Sequence, residues 1–291
     1  MTYRTPPLAR RNTMSTWFVT GTSRGLGLDL VRRLLERGEN VAATTRSAQR
    51  LAEALGGSGD WPRLLVLEVD LADEQQVTRA VQVAQDRFGG LDVVVNNAGY
   101  GFLGAVEEVS DTEARKMFDV QIFGVWNVLR AVLPAMREAG RGHIINVSSI
   151  LGLTAFPGWG LYVAGKYALE GLTESLAAEV AGFGITVNLV EPGYMRTDFL
   201  RPVSLGLPSE QSTGYPAIRE MTQQHLAMPG TQLGDPAKAA TAIIEVATRG
   251  DAPLHQLLGS DSLGLADARI EALRADIEAS RALGVTTDIQ Q

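Results

Sequence analysis

The chain contains no cysteine, and this absence limits both its covalent chemistry and its metal chemistry. Without thiols it cannot form a disulfide bond or a thiolate-bound metal site, which favours an intracellular, cytoplasmic setting. It also lacks an apolar run long enough to cross a bilayer. Its histidines, His143, His225 and His255, are far apart and lack the spacing of metal ligands, so we expect structural or surface roles and no metal.

An excess of positive charge is also missing. Lysine and arginine together number 26 against 33 aspartates and glutamates, which gives a net charge of −7. This balance argues against a general surface for nucleic acid or anionic membrane, although a few arginines can still gather around a phosphate. The 291 residues, 45% of them hydrophobic, suffice to bury a full core. Residues 1–13 have no apolar segment of the secretory type, and we expect this extension ahead of Met14 to contribute little to the fold.

Short apolar runs without a strict period of two alternate with amphipathic helical stretches along the rest of the chain. This alternation predicts one α/β domain over residues 14–291, with a parallel sheet of about seven strands covered by helices on both faces. A capping box, Ser110 to Glu113, opens a predicted helix that runs to residue 139. The strands are expected at residues 16–20, 40–44, 64–69, 91–95, 143–147, 186–190 and 254–258.

Two late segments differ from this alternation. Residues 198–230 lose their periodicity and contain prolines at positions 202, 208, 216 and 229, so we expect an irregular substrate lid. Residues 262–291 form a predicted C-terminal helical extension, with a charged amphipathic helix over residues 266–283.

A glycine-rich turn follows the first strand and precedes a helix. Gly21 would permit a tight turn, Gly25 a close approach of a pyrophosphate, and Gly27 close contact between helix and strand. The spacing is GxxxGxG rather than GxGxxG, and taken alone it fits a structural turn equally well. Asp70 and Asn96 follow later strands, at the edge of the sheet where such folds bind ligands.

The end of the second strand carries no acidic residue that would bind an adenosine ribose and reject a 2′-phosphate. Arg46 stands there instead, and Arg24 lies in the glycine turn. Two guanidinium groups so placed can bind a 2′-phosphate, which favours NADP(H) over NAD(H). The alternative is that both side chains are solvated.

Tyr162 and Lys166 stand four residues apart on a predicted helix and therefore share one face. A nearby cation stabilises phenolate, so we expect the pKa of Tyr162 to fall from its ordinary value near 10 towards neutrality. Tyr162 would then be a usable general acid and base. The spacing is common, and a solvated pair is the alternative for any isolated case.

Five motifs in sequence resemble the short-chain dehydrogenases/reductases, in their single-domain branch. They are Thr20-Gly-Thr-Ser-Arg-Gly-Leu-Gly27, Asn96-Asn-Ala-Gly99, Ser149, Tyr162-Val-Ala-Gly-Lys166 and Pro192-Gly193 with Thr197. The resemblance covers about residues 15–259 and implies a doubly wound Rossmann fold that binds a nicotinamide cofactor.

Residue by residue, the resemblance implies that Tyr162 is the catalytic acid/base and that Lys166 lowers its pKa and binds the nicotinamide ribose. Ser149 would hold the substrate oxygen, and Asn96 would line the cofactor. Gln121 stands where the family has an asparagine of the proton relay, which puts that relay in doubt. The implied cofactor-binding residues are Gly21, Ser23, Arg24, Gly25, Leu26, Gly27, Arg46, Asp70, Leu71, Asn97, Ala98, Gly99, Tyr162, Lys166, Pro192, Gly193 and Thr197.

The resulting hypothesis is an NADP(H)-dependent oxidoreductase that acts on a bulky, apolar ketone, aldehyde or secondary alcohol. The substrate would contact Ser149, Phe156, Trp159, Tyr162 and Met195, and the chain would form a homodimer or homotetramer through the helices that carry Ser110 and Tyr162. A catalytically impaired cofactor sensor or scaffold is the alternative. A sugar-nucleotide epimerase is disfavoured because only roughly 90 residues follow Thr197. The wider set of candidate pocket residues is Tyr100, Phe102, Leu153, Phe156, Trp159, Met195, Phe199 and Leu200.

Overall fold

The computed structural model describes residues 14–57 and 61–289, and the predicted extension at residues 1–13 lies outside them. Within the described residues the main sheet has seven parallel strands in the order β3-β2-β1-β4-β6-β7-β9. A small second sheet pairs β5 with β8. The strands are β1 Thr16–Thr20, β2 Asn40–Thr45, β3 Leu64–Glu68, β4 Val93–Asn96, β5 Gly101–Phe102, β6 Gly142–Val147, β7 Ile185–Pro192, β8 Leu205–Gly206 and β9 His255–Leu258.

Helices connect these strands, as a parallel sheet requires. They are α1 Gly25–Glu36, α2 Ala48–Ala54, α3 Glu74–Phe88, α4 Asp111–Phe118, α5 Gly124–Ala139, α6 Gly160–Val180, α7 Pro216–Ala227, α8 Pro236–Arg249 and α9 Ser260–Gly284. None of the helices in the described ranges combines the length and the apolar character needed to cross a bilayer.

The sheet separates two apolar cores, because its strands point alternate side chains to opposite faces. Phe18 and Ile144 pack with α3, α5 and α6 on one face. Trp17 and Ile145 pack with α1, α2 and α8 on the other. Both cores together confirm the predicted doubly wound α/β fold of a single domain.

The helix predicted from Ser110 to residue 139 is interrupted. Ser110 caps α4 as expected, since its Oγ accepts a hydrogen bond from Glu113 N. A π-helical turn at Asp119–Phe123 then separates α4 from α5 and carries Gln121. Gly124 follows this turn, and a Cβ there would lie 2.9 Å from Leu71 Cβ, so the turn fits closely against the loop after β3.

The segment predicted to be an irregular lid, residues 198–230, has more regular structure than its sequence indicates. It contains β8, which pairs with β5, and α7, which begins at Pro216 in the position that helices favour for proline. The prolines therefore mark the start of a helix and its flanking turns rather than an extended loop. Pairing between β5 and β8 joins residues about a hundred positions apart, which local periodicity does not reveal.

Candidate active site

A cleft of about 730 Å³ opens at the carboxyl end of the sheet, beside the reversal of strand order between β1 and β4. Doubly wound sheets bind their ligands at this position. Among the predicted site residues, Gln121 is outside the cleft. Those that line it are Gly21, Ser23, Arg24, Gly25, Leu26, Gly27, Arg46, Asp70, Leu71, Asn97, Ala98, Gly99, Ser149, Phe156, Trp159, Tyr162, Lys166, Pro192, Gly193, Met195 and Thr197.

The glycine turn between β1 and α1 has no room for larger side chains. Gly21 and Gly25 have φ angles of +70° and +54°, in the left-handed region that favours glycine. A Cβ on Gly27 would lie 2.4 Å from the Gly21 carbonyl oxygen and 2.5 Å from Asn97 Nδ2. The turn therefore brings backbone to the cleft at the amino end of α1, where the helix dipole favours an anion.

The loop after β4 braces this turn. Thr20 Oγ1 accepts hydrogen bonds from the backbone N–H groups of Asn97 and Ala98, each at 3.0 Å. Asn97 Nδ2 donates to the carbonyl oxygens of Thr20 and Gly21 at 2.9 and 3.1 Å. Asn96 was expected to line the cofactor, but its side chain is buried and donates to Asn146 Oδ1 at 2.8 Å. Side chains of adjacent strand residues alternate in direction, so Asn96 points towards Asn146 on one face of the sheet while Asn97 points towards the glycine turn.

Arginines gather where β2 ends. Arg24 Nη1 donates to the Val203 carbonyl oxygen at 2.8 Å, so this side chain also holds the segment after β7. Burial lowers the pKa of Arg24, and the charges of Arg46 and Arg50 lower it further. Such mutual repulsion among cations is relieved by a bound anion. Arg50 was not predicted, and its signal is its position four residues after Arg46, on the first turn of α2.

Ser149, Tyr162 and Lys166 meet in the cleft near the carboxyl end of β6. Ser149 follows this strand, and its Oγ accepts a hydrogen bond from Leu151 N at 3.1 Å. Tyr162 and Lys166 lie on the first turns of α6, on one face as their spacing predicts, and each is 5% exposed. Lys166 Nζ donates to the Val147 carbonyl oxygen at 3.0 Å and lies 5.6 Å from the centroid of the Tyr162 ring.

Burial governs the acid–base properties of this group. It raises the pKa of Tyr162, and the Ser149 side chain acts in the opposite direction. It lowers the pKa of Lys166 to about 8, against the nearby charge of Glu170. The expected fall in the pKa of Tyr162 is therefore wrong for the chain by itself, because loss of hydration disfavours phenolate and Lys166 contributes no stabilisation that outweighs it.

The far end of the cleft is apolar. Trp159 and Phe199 pack edge-on against Tyr162 from two sides, with ring centroids 5.6 Å away in each case. Phe156 lies at the rim and is 37% exposed. Of the wider pocket set, Phe102 and Leu153 do not line the cleft. Apolar wall residues that the sequence did not indicate include Ile150, Leu151, Val203, Leu205 and Leu265.

The comparisons with known proteins agree on one family. Residues 15–207 match the model of short chain dehydrogenases. Oxidoreductase BOA17 of Botryotinia fuckeliana is 34% identical over 271 residues, which cover 93% of this chain and 98% of that protein. The chain belongs to the short-chain dehydrogenase family. The 3-ketodihydrosphingosine reductase of Bacteroides thetaiotaomicron is also similar, at 34% identity over 83% of this chain and 86% of that protein.

Solved structures place this short-chain dehydrogenase among proteins of the same fold. One from Streptomyces avermitilis has a TM-score of 0.87 at 34% identity, covering 95% of this chain and all of that one. A Burkholderia cenocepacia short-chain dehydrogenase in complex with NADP has a TM-score of 0.69 at 31% identity, with 92% and 96% covered. One from Burkholderia phymatum in complex with NAD has a TM-score of 0.77 at 23% identity, with 90% and 95% covered, which shows the fold alone. As a family member, the chain is an oxidoreductase of CH–OH and C=O groups.

Gln121 lies behind the cleft of this short-chain dehydrogenase. Its Nε2 donates to the Tyr100 carbonyl oxygen at 2.8 Å, and the residue is 1% exposed. Its Oε1 has no hydrogen-bond partner among the described residues, and it faces Gly165 of α6, where a Cβ would lie 4.0 Å away. The side chain thus ties the π-helical turn to the loop after β4 instead of reaching the cleft.

A cluster of buried acidic side chains lies behind Lys166, and the sequence did not predict it. The Ser148 hydroxyl donates to Glu170, and burial raises the pKa of that carboxyl to about 8. Glu191 accepts a hydrogen bond from His255 Nδ1 at 2.7 Å, which raises the pKa of His255. Glu170 stands four residues after Lys166, a visible spacing, whereas β9 brings His255 to the cluster from 64 positions beyond Glu191. His255, for which the sequence predicts a structural or surface role, lies beside Glu170, Glu174 and Glu191.

Proposed function

We propose that this short-chain dehydrogenase uses NADP(H) to transfer hydride to or from a bulky, apolar ketone, aldehyde or secondary alcohol. The observation that carries the proposal is the meeting of Ser149, Tyr162 and Lys166 in a cleft whose other end is the glycine turn, where Gly27 leaves no room for a Cβ. The two ends supply a place for proton transfer and a place for a dinucleotide within one cavity.

The residues present fit a nicotinamide dinucleotide. A Cβ at Gly27 would fill the space beside the Gly21 carbonyl, so the turn is shaped for close approach to a pyrophosphate. Asp70 at the rim would border the adenine, and Thr197 with Gly193 would border the nicotinamide end. When bound, the nicotinamide supplies or accepts the hydride.

The chain itself holds and moves the proton. The raised pKa of Tyr162 keeps its phenol protonated at neutral pH, so in the reductive direction it can protonate the forming alkoxide. Ser149 donates a hydrogen bond to the substrate oxygen, where negative charge develops. Lys166 has a pKa of about 8, so its side chain can lose and regain a proton close to working pH. In the oxidative direction the same groups act in reverse.

The preference for NADP(H) rests on Arg24, Arg46 and Arg50. Burial lowers the pKa of Arg24, and the charges of Arg46 and Arg50 lower it further, so a 2′-phosphate bound beside them would offset the repulsion on Arg24. The substrate class rests on the apolar wall around Trp159 and Phe199. A relative named for the reduction of 3-ketodihydrosphingosine supports a substrate with a large apolar portion.

Replacement of Tyr162 by Phe tests the proton donor. We expect turnover to fall by about 100-fold or more, because general acid catalysis contributes that much, while the dissociation constant for NADPH changes little. Tyr167→Phe is the matched control, since Tyr167 lies on the same helix but donates to the Leu153 carbonyl oxygen outside the cleft. Steady-state kinetics and fluorescence titration with NADPH give the two readouts. Turnover of Tyr162→Phe equal to that of the control would falsify the assignment.

A catalytically impaired NADP(H)-binding sensor or scaffold is the second candidate, because Gln121 does not reach the cleft. A panel of small polar and large apolar carbonyl compounds, each assayed with NADPH and with NADH, separates the two. Turnover of the large apolar compounds with NADPH supports the enzyme. Tight NADPH binding without turnover of any compound supports the sensor, and faster turnover of small polar ketones contradicts the substrate class.

A homodimer or homotetramer formed through α5 and α6 is part of the same proposal. Large apolar side chains face solvent in the single chain here: Phe123 of the π-helical turn before α5 is 54% exposed, Trp126 of α5 45% and Tyr167 of α6 38%. Symmetric pairing would cover them. Residues 198–230 remain the proposed substrate lid, since Phe199 and Leu205 reach the cleft from this segment.

A further inference from the structure

The C-terminal helix α9 extends beyond the body of the molecule. Near its start, Ser262 and Ala266 are buried against the body. Every residue from Ile270 to Gly284 is exposed. At 1.5 Å per residue these 15 residues extend for roughly 22 Å. An isolated helix of this length is only marginally stable in water, so a partner surface is expected along it.

The exposed part of α9 carries apolar side chains in a regular stripe. Ile270, Leu273 and Ile277 are 49%, 45% and 54% exposed. With Leu263 and Ala266 before them they follow a spacing of three and four residues, which keeps them on one face and is typical of the seam of a coiled coil. The stripe begins on the body and continues past its edge.

We propose that α9 pairs in an antiparallel coiled coil with α9 of a second copy of this chain. The seam is centred between residues 271 and 272, so that Ile270 of each copy lies opposite Leu273 of the other. The outer half of each helix then lies along the start of the other, where Leu263 is exposed and Ala266 is already buried against its own body. This contact is separate from the proposed α5 and α6 faces and does not depend on the proposed function.

The charges beside the seam select this register. It places Asp267 of one copy beside Arg274 of the other, and Arg269 beside Asp276. Twofold symmetry repeats each pair, so four attractive contacts flank the seam. Within the described part of the chain, Arg281 of α9 forms an ion pair with Glu278. The four side chains beside the seam have no oppositely charged group within 4.0 Å among the described residues; they are Asp267, Arg269, Arg274 and Asp276.

Other arrangements bring like charges together. Sliding the antiparallel pair so that Leu273 lies opposite Ile277 would set Arg274 beside Arg274 of the second copy, and Asp276 beside Asp276. A parallel pair would set Arg269 beside Arg274. Each alternative also keeps attractive pairs, Asp267 with Arg281 when slid and Asp276 with Arg281 when parallel. Only the proposed register has no like-charge pair among these residues, and like charges beside a seam disfavour pairing.

Sedimentation velocity of the full chain over a wide range of concentration tests the pairing. Leu273→Asp places a charge at the centre of the seam, and we expect it to halve the mass of the assembly, from dimer to monomer or from tetramer to dimer. Asp267→Arg places an arginine beside Arg274 of the other copy at both symmetry-related positions. We expect this repulsion to raise the dissociation constant of the α9 pairing by about tenfold. Glu271→Arg, with the same change in charge on the outer face of the helix, should leave the constant unchanged.

The double variant Asp267→Arg with Arg274→Asp shows whether these two residues interact between two copies of the chain or within one copy. These positions are seven residues apart and do not touch within one helix, so restored association can arise only from contact between two chains. Restoration to the wild-type constant supports the proposal. A monomeric wild-type chain, an unchanged mass in Leu273→Asp, or no restoration in the double variant overturns it. Unchanged thermal unfolding of the body in each variant excludes misfolding as the cause.

Discussion

Tyr162 and Lys166 lie one helical turn apart, yet burial moves their pKa values in opposite directions. The tyrosine value rises and the lysine value falls to about 8, because an apolar setting disfavours phenolate and ammonium alike. Glu170 behind them follows the same rule, with a pKa raised to about 8. At the residue scale, burial therefore shifts each of these groups towards its uncharged form relative to its ordinary pKa.

Coenzyme choice is a prediction at this scale. Arg46→Asp puts negative charge where a 2′-phosphate would bind, so we expect the Michaelis constant for NADPH to rise about tenfold or more while that for NADH changes little. Arg37→Asp makes the same change in charge at an exposed position away from the cleft. Initial rates with both coenzymes give the comparison. An equal loss in the two variants would point to net charge rather than a phosphate site.

Glu170 predicts a dependence of stability on pH. The unfolded chain releases this proton near the ordinary value of 4.5, whereas the folded chain holds it up to about pH 8. Over that window the folded state binds more protons, so the free energy of unfolding falls as pH rises. Glu170→Gln removes this contribution and should lose less stability than the wild type between pH 5 and pH 8.

Urea unfolding at both pH values measures the effect. Glu179→Gln is the control, since Glu179 is exposed near the end of α6, away from His255. His255, whose pKa is raised by Glu191 and also by the charge of Glu170, contributes a fall of the same sign, so Glu170→Gln reduces both contributions in the same direction. Identical pH dependence in wild type and Glu170→Gln would contradict the assignment of the buried proton to Glu170.

At the scale of elements, the site consists of helix starts and strand ends held in register. The β6 strand ends beside Ser149, α6 begins beside Tyr162, and α1 begins at the glycine turn. Each element is fixed by the sheet or by a buried face, so the side chains at its end need little reorganisation. The π-helical turn with Gln121 is the exception, because it interrupts one long amphipathic helix beside the cleft.

Substitution of a glycine in the turn between β1 and α1 should weaken cofactor binding, whereas substitution of a glycine elsewhere should not. Gly27→Ala drives a Cβ into the Gly21 carbonyl and Asn97, so we expect NADPH affinity to fall about tenfold or more. Gly171→Ala, in the open interior of α6, should leave affinity unchanged and stabilise the fold by about 0.5–1 kcal/mol. Titration with NADPH and urea unfolding provide the two measurements. Unchanged affinity in Gly27→Ala would show that the turn does not contact the cofactor.

At the scale of the whole molecule, one sheet packs between two apolar cores, and the cleft at its edge keeps its shape only while both cores are packed. Leu34 of α1 is fully buried between the sheet and α8. We expect Leu34→Ala to cost about 2–5 kcal/mol in the free energy of unfolding, because it leaves a cavity in a packed core. Leu233→Ala, at a position 78% exposed, should change it by less than about 0.5 kcal/mol. Urea unfolding compares them, and a similar small loss in both would mean that α1 contributes little to the cooperative core.

The sequence by itself determined the parallel sheet, the glycine turn and the Tyr162 helix. These depend on local signals: apolar runs, glycines next to a strand, and side chains one turn apart. The same signals placed almost every predicted site residue in one cleft. Motifs at the ends of parallel strands converge because those ends share one edge of the sheet.

Only the tertiary structure decided the rest. Pairing of β5 with β8 gave part of the segment predicted to be irregular a regular structure beside the cleft, and His255 joined Glu191 across two strands. The pKa of Tyr162 rose instead of falling, since burial depends on every element packed around the ring, whereas the spacing to Lys166 is a property of one helix. Local chemistry is encoded in neighbouring residues, but desolvation and long-range contacts exist only once the chain has folded.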